Sequence, residues 1–325
     1  MNCILSNNLD PYYNLAAEEY FLKNRKEEFF ILWRCNSTIV VGKHQNTLAE
    51  INFPFIRKNN IKVARRITGG GTVFHDTGNI NFTFISQGDK GKLVDFKRFV
   101  TPVIEILNSM GVRAEQGNKN EILVGGKKIS GNAEHVHKTR ILHHGTLLFN
   151  SELNTLNEAL KVIPGKYVDK SVQSNRSEVT NIRQHLNKDM SSDEFLYLLF
   201  ESFKAGKKDY KNYKLTEKDS QSILNLANEK YNGWGWIFGY SPRYKFENKV
   251  MIDNYTVGIE MNIENGIIQS VLISGNYFTN QQSAKLAEML SGKRHKFEEI
   301  LNIVELNFET DLSPIEIDRL CYTFF

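Results

Sequence analysis

"ARRITGGGTVFHDTGNINFTFI", residues 64–85, decides how the first part of the chain is built. Its second half alternates without a break. Ile80, Phe82 and Phe84 fall on one face of a strand, and Asn79, Asn81 and Thr83 on the other. Its first half sets three consecutive glycines between two strand-like pieces, directly after Arg65 and Arg66. A glycine turn keeps side chains out of the way, so backbone N–H groups can approach an anion closely. An arginine fork suits phosphate or carboxylate. A plain hairpin with a solvated arginine pair fits the same letters. Two familiar nucleotide motifs are excluded by spacing. No G-x-x-x-x-G-K-[ST] occurs anywhere, and Phe74 stands where G-x-G-x-x-G needs its third glycine.

Working outward, Asp10-Pro11 reads as an N-cap followed by proline at the first helical position, opening a helix to about Asn24. "FFILW", "TIVVG" and "IKVARR" read as short strands. Phe96, Phe99, Val103, Ile106 and Met110 recur at helical spacing over 95–110. Strand-like pieces follow near 112–116, 121–124, 127–134 and 140–149. Ser191 with Glu194 predicts a capping box, and a further helix is expected over 216–230. Near Ser241-Pro242 the texture changes to alternating strands, joined by a turn at Asn265-Gly266, then short helices. Mixed strands and helices without strict βαβ alternation predict an α+β protein. The expected division is a large domain over 1–243 and a small α+β domain over 244–325.

A second stretch, "NKNEILVGGKKISGNA" at 118–133, reads as a hairpin turning at Gly125-Gly126. On strict alternation Lys128, Ser130 and Asn132 share one face, and Lys127, Ile129 and Gly131 the other. A polar Lys-Ser-Asn row fits a ligand-lined wall with Lys128 as its charge. A solvated edge carrying both lysines fits as well. A third stretch, "RILHHGTLLF" at 140–149, adds paired histidines near His135 and His137. Without H-E-x-x-H or spaced cysteine ligands it reads as a pocket wall rather than a metal centre.

The 325 residues are 41% hydrophobic, with a formal net charge of +4. That charge suits anionic ligands and is too small to argue for nucleic acid. Cys3, Cys35 and Cys321 are widely spread, in neither a metal nor a disulfide pattern, which suits a reducing compartment. No G-x-S-x-G is present. The N-terminal sequence has no signal-peptide pattern, and no apolar run approaches the roughly 20 residues of a membrane span. A cytoplasmic protein with no membrane or nucleic-acid partner is expected.

In family order, "RRITGGGTVFHDTGNINFTF", "NKNEILVGGKKISGNA", "HHGTLLFN", "KSVQSNRSEVTNI" (170–182) and "WGWIFGYSP" (234–242) resemble lipoate–protein ligases of the A type, within the biotin/lipoate ligase fold family. The resemblance covers essentially the whole chain. It implies a large domain with a mixed or antiparallel central sheet flanked by helices, plus a small C-terminal accessory domain. It also implies ATP-dependent activation of lipoate to lipoyl-adenylate with Mg²⁺. The acyl group then passes to a lysine on lipoyl carrier domains, namely those of 2-oxoacid dehydrogenase acyltransferase subunits and the glycine-cleavage H protein. A monomer is expected.

The implied roles fall residue by residue. Arg66 contacts the nucleotide. Gly69, Gly70, Gly71, Thr72, Val73 and Phe74 form the loop over the adenylate, followed by His75 and Asn79. Lys128 serves both half-reactions. Trp33, His144 and Gly145 border the acyl chain. Arg176 and Asn181 belong to a loop that closes over the adenylate, and Glu121 is the candidate Mg²⁺ ligand. Two letters depart from the family pattern: Lys119-Asn120-Glu121 replaces Arg-Asn-Asp, and Thr68 replaces serine. The alternative within the same fold is an ATP-independent octanoyl or lipoyl transferase. One group of these uses a cysteine C-terminal to the lysine, and here only Cys321 lies there.

Overall fold

The computed structural model describes residues 1–88, 94–118, 120–175, 177–205, 208–308 and 312–325. In chain order the elements are β1 (Asn2–Leu5), α1 (Pro11–Asn24), β2 (Phe29–Trp33), β3 (Thr38–Val41), α2 (Phe53–Lys58), β4 (Lys62–Arg65), β5 (Val73–His75), β6 (Asn79–Gln87) and α3 (Phe96–Ser109). Then come β7 (Ala114–Gln116), β8 (Glu121–Val124), β9 (Lys127–His137), β10 (Arg140–Leu148), α4 (Leu153–Ala159), β11 (Tyr167–Asp169), α5 (Ser192–Lys204), β12 (Lys211–Asn212) and α6 (Glu217–Leu226). The chain ends with β13 (Tyr244–Ile252), β14 (Tyr255–Glu264), β15 (Ile267–Gly275), α7 (Asn280–Leu290), α8 (Phe297–Phe308) and α9 (Pro314–Tyr322).

Two compact units emerge. The first comprises 1–43, 62–157 and 174–233. Its main sheet has the order β12-β1-β2-β6-β10-β9-β8-β7, parallel at the β12-β1-β2 end and antiparallel from β2 onward. A three-stranded sheet, β4-β3-β5, carries Arg65 and His75, with Arg66 directly after β4. The mixed sheet with flanking helices agrees with the fold expected from sequence.

The apolar core forms where Ile80, Phe82 and Phe84 of β6 meet Phe99, Val103 and Leu107 of α3 and Phe195, Leu199 and Phe203 of α5. Both helices are amphipathic in sequence, and the capping box Ser191/Glu194 starts α5. In α1, Asp10 Oδ1 caps the backbone N–H groups of Tyr12 and Tyr13, at 2.8 and 3.0 Å. Every residue of α1 from Asn14 to Leu22 is buried, including Glu18 and Glu19. The helix expected over 216–230 is α6, continued by one π-helical turn over Ala227–Tyr231.

The second unit comprises 44–61, 158–173 and 234–325. Its sheet, β11-β13-β14-β15, is wholly antiparallel, with α7, α8 and α9 following it in the chain. β11 pairs along β13 and covers what would be an open strand edge. Phe53, next to Pro54 at the start of α2, stacks on Phe325 with ring centroids 4.4 Å apart. The sequence changes texture near Ser241-Pro242, whereas this unit starts at Trp234 and takes in two earlier stretches that no change of composition announces.

Asp219 ties α6 to α1 within the first unit. Its buried carboxylate accepts from Tyr20 Oη at 2.7 Å, Tyr213 Oη at 2.8 Å and Thr216 Oγ1 at 2.8 Å, and pairs with Arg25. Burial alone would raise its pKa. The Arg25 contact and the hydroxyl donors outweigh that and hold it well below the ordinary carboxylate range. Asp219→Ala is expected to cost about 3 kcal/mol, because a half-buried cation and two tyrosine hydroxyls lose their buried acceptor. Urea unfolding with an unchanged m-value measures this. The lowered pKa means the contribution is fully present above pH ~4 and is lost as pH falls below it. The gap between wild type and variant should therefore narrow in acid.

Candidate active site

The alternation of β6 creates two environments, and both are buried. Phe82 pairs with Gly145, and Gly145 with Asn132; Phe84 pairs with His143, and His143 with Glu134. This is the core face. The opposite face carries Asn79, Asn81 and Thr83 of β6, His144 and Thr146 of β10 and Trp33 of β2. Its polar residues are not solvated: Asn79 is 0% and Asn81 3% exposed. Gly145 belongs here by its backbone alone. A Cβ on it would point to the core face and lie 2.1 Å from Asn132 Oδ1 and 2.4 Å from the Phe82 ring.

The hairpin lysines separate. Lys127 is exposed and pairs with exposed Glu178 at 2.6 Å, an arrangement that contributes little. Lys128 is half-buried, and its ammonium makes no ion pair or hydrogen bond with a described residue. Burial lowers its pKa. Nearby Glu121 opposes that shift, and nearby Arg66 adds to it. Its backbone is clamped by the 178–180 segment: Lys128 N–H donates to Glu178 O at 2.8 Å, and Thr180 N–H to Lys128 O at 3.0 Å.

The face assignment from strict alternation needs correcting. Ile122 pairs with Ser130 but Leu123 with Lys128, so Ile129 is an extra residue, a β-bulge. Ile129 enters the core. A Cβ on Gly131 would lie 3.1 Å from Lys128 Cε and 3.2 Å from its Nζ, so Lys128 shares a side with Gly131. Ser130 and Asn132, joined by a 3.2 Å hydrogen bond, keep to the core side. Gly131 N–H in turn donates to Thr146 Oγ1 at 3.1 Å, which places the Lys128 side chain beside the polar face.

Arg66 is buried and faces the glycine loop from within. Nε–H donates to Thr68 Oγ1 at 2.9 Å, Nη1 to Val40 O at 3.1 Å, and Nη2 to Gly69 O and Gly71 O, both at 2.7 Å. Burial lowers its pKa to about 10, so it remains charged at neutral pH. Ser174 Oγ accepts from Thr72 N–H at 2.8 Å and lies against Gly71. The amides of Gly69, Gly70 and Gly71 have no partner among the described residues. Val73 is half-buried and Phe74 fully buried.

A residue outside every sequence motif enters here. Buried Glu18 of α1 accepts on Oε1 from Thr83 Oγ1 at 2.5 Å and Trp33 Nε1 at 3.2 Å. Its Oε2 lies 2.9 Å from His144 Nδ1, and His144 Nε2 lies 2.8 Å from Thr68 Oγ1. The signal was available as two acidic residues inside an unusually apolar "LAAEEYFL" helix.

Several buried polar atoms on or beside this face lack any described partner: both ring nitrogens of His75, Asn79 Oδ1, Asn81 Nδ2 and Ser151 Oγ. Such groups are costly unless a ligand or water meets them. Asn181 is committed elsewhere, accepting from Ser151 N–H and donating to Ser151 O, both at 2.9 Å. Arg176 and Lys119 lie outside the described residues. No group of three or more His, Cys, Asp or Glu capable of holding a metal occurs among the described residues. The Glu121 carboxylate makes no hydrogen bond or ion pair with any of them.

The chain matches the lipoyl protein ligase A/B catalytic domain over residues 10–204 and the bacterial lipoate protein ligase C-terminus over 241–323. Lipoate–protein ligase 1 of Staphylococcus aureus is 41% identical over 303 residues, spanning 92% of each chain. Lipoate-protein ligase LplJ of Bacillus subtilis is 37% identical over 302 residues, spanning 91% of each. Among solved structures, a lipoate-protein ligase A bound with ATP gives a TM-score of 0.63 at 25% identity, covering 74% of this chain and 98% of that one. The bipartite lipoate protein ligase of Thermoplasma acidophilum, described with its E2 lipoyl domain, gives 0.64 at 25% identity, covering 74% and 96%.

His75 supplies a test of this geometry. Burial pushes its pKa down to about 3, with the positive charge of Arg66 acting in the same direction. Nitrogen-15 NMR should therefore show a His75 ring that stays neutral from pH 8 to pH 5. An exposed histidine titrates near pH ~6.5. A midpoint inside that range would contradict the dry, unpartnered environment described here.

Proposed function

The chain belongs to the lipoate–protein ligase family, and we propose that it activates lipoate with ATP as lipoyl-adenylate and passes the acyl group to a lysine of lipoyl carrier domains. One observation carries most weight. A half-buried lysine with no ion-pair partner among the described residues stands beside a buried arginine and a loop whose three glycine amides likewise have none among them. Negative charge introduced there would meet donors that are already oriented, which is how charge growing in a transition state is stabilised.

In the first step the lipoate carboxylate attacks the α-phosphate of ATP, forming the mixed anhydride and releasing pyrophosphate. Arg66 shapes the glycine loop, whose amides take phosphate oxygens together with Thr72 and with Val73 and Phe74 of the strand that follows. Lys128 Nζ donates to the oxygens that gain charge. In the second step the carrier lysine amine attacks the acyl carbonyl. Lys128 stabilises the resulting oxyanion, and AMP leaves. In this reading His75 and Asn79, whose polar atoms lack partners among the described residues, meet the adenylate, and Asn181 and Arg176, the latter outside the described residues, close over it. Trp33, His144 and the Gly145 backbone border the acyl chain. Glu121 is one carboxylate near Lys128 with no partner among the described residues, which fits a Mg²⁺ held chiefly by substrate phosphates. Bound there, the cation would neutralise phosphate charge.

The carriers in this reading are acyltransferase subunits of 2-oxoacid dehydrogenases and the glycine-cleavage H protein. Residues 1–243 carry the chemistry, and 244–325 are accessory. The protein acts as a monomer in the cytoplasm. No helix among the described residues is long and apolar enough to cross a membrane. The cysteine-dependent transferase finds little support. Cys321 is fully buried, and burial pushes its thiol up to about 12, which leaves almost no thiolate near neutral pH.

Purified protein should catalyse lipoate-dependent ATP–pyrophosphate exchange and label a lipoyl domain. Lys128→Ala should abolish both, while Lys127→Ala should keep at least about half of the wild-type rate, because its ion pair is at the surface. Consumption of octanoyl carrier protein without ATP, in the absence of exchange, would overturn the reading.

A further inference from the structure

Glu18 lies outside the five quoted sequence motifs, yet it ends a hydrogen-bond chain that begins at the glycine loop. The proton positions follow from the partners. Trp33 Nε1 can only donate, so it fixes Glu18 Oε1 as an acceptor, shared with Thr83 Oγ1. Facing Oε2, His144 holds its ring proton on Nδ1, which leaves Nε2 to accept from Thr68 Oγ1. The Thr68 oxygen, having given its proton to His144, accepts from Arg66 Nε–H. All these bonds run one way, from guanidinium to carboxylate. The charge of Glu18 also favours the charged form of Arg66.

We infer that Glu18 is a positioning residue for Arg66: through His144 and Thr68 it orients the guanidinium, and through the carbonyls of Gly69 and Gly71 it sets the shape of the glycine loop. The inference rests on the ligase reading in assigning that loop to the nucleotide. It predicts an effect that proximity alone would not. Glu18 touches Trp33 and His144, the acyl-wall residues, but its removal should be felt at ATP.

Glu18→Gln is the informative change because it keeps size and shape. Trp33 holds the amide oxygen on its side, so the new NH₂ turns to His144 Nδ1. The ring proton must then move to Nε2 and donate to Thr68. Thr68 is fully buried and now receives two donors, so its own proton is stranded.

The experiment uses the full chain. Nitrogen-15 NMR of labelled histidine and arginine should show His144 protonated on Nδ1 in the wild type and on Nε2 in Glu18→Gln, with a shifted Arg66 Nε–H resonance. Calorimetry should show ATP binding about tenfold weaker and lipoate binding changed less. Thr68→Val should reproduce the ATP loss, Thr68→Ser should restore binding, and the Glu18→Gln/Thr68→Val pair should lose no more than either single variant. Should Glu18→Gln not fold, Glu18→Asp, one methylene short of His144, is read in the same way. Unchanged ATP affinity with an unmoved Arg66 resonance, a loss confined to lipoate, or additive losses in the double variant would each overturn the inference. A wild-type protein that binds no ATP would instead refute the ligase reading, and the NMR signals would still decide the relay.

Discussion

A guanidinium taken out of water must find acceptors for its N–H groups, and the way Arg66 does so shapes everything around it. It recruits the carbonyls of Val40, Gly69 and Gly71 and the hydroxyl of Thr68. Two carbonyls of a three-glycine run are thus turned inward. The backbone can do this because Gly70 adopts φ +89°, and a Cβ there would press to 3.1 Å from Arg66 Nη2. The amides of the same run have no partner among the described residues. One buried cation therefore converts a flexible sequence into an anion nest, with neither a Walker loop nor a helix N-terminus.

The two adjacent histidines of β10 show how the sheet divides its labour. His143 faces the core, bonded to Glu134 at 2.9 Å and stacked on Phe99 with ring centroids 4.9 Å apart. His144 faces the polar side and is bonded to Glu18. Each buried imidazole has its own carboxylate, supplied by the neighbouring strand in one case and by α1 in the other. The first pair fastens the core beneath α3. The second belongs to the chain that ends at Arg66.

Much of this was legible in the letters. The alternation of 79–84 fixed a strand with an apolar and a polar side, and the caps at Asp10 and Ser191 marked helix starts that the structure keeps. What alternation could not say is that the polar side is also covered. A row of Asn, Asn and Thr reads the same against water as against a buried glutamate. Glu18 escaped notice for a related reason: a helix buried on all sides has no periodicity to mark which acid is in use. Parity only leaned to Lys128 over Lys127, and its grouping of that lysine with Ser130 and Asn132 fails, because the extra residue at Ile129 changes the count between them. The family pattern pointed to the same lysine independently of parity. The contributions of 44–61 and 158–173 to the second unit depend on long-range pairing such as β11 with β13, which local composition does not encode.

The bulge also bears on how this hairpin can be moved or altered. Removing Ile129 would restore regular pairing with β8 and leave Lys128 opposite Leu123, but it would take a side chain out of the apolar core; removing Lys127 instead would draw Lys128 opposite Val124, on the core side. A shorter, better-paired hairpin would be a worse one. Grafting the lysine onto another scaffold therefore means transplanting Glu121 through Gly131 as one piece, irregularity included. An alignment that closes the gap at Lys127 rather than at Ile129 moves the Lys128 side chain to the other face of the sheet.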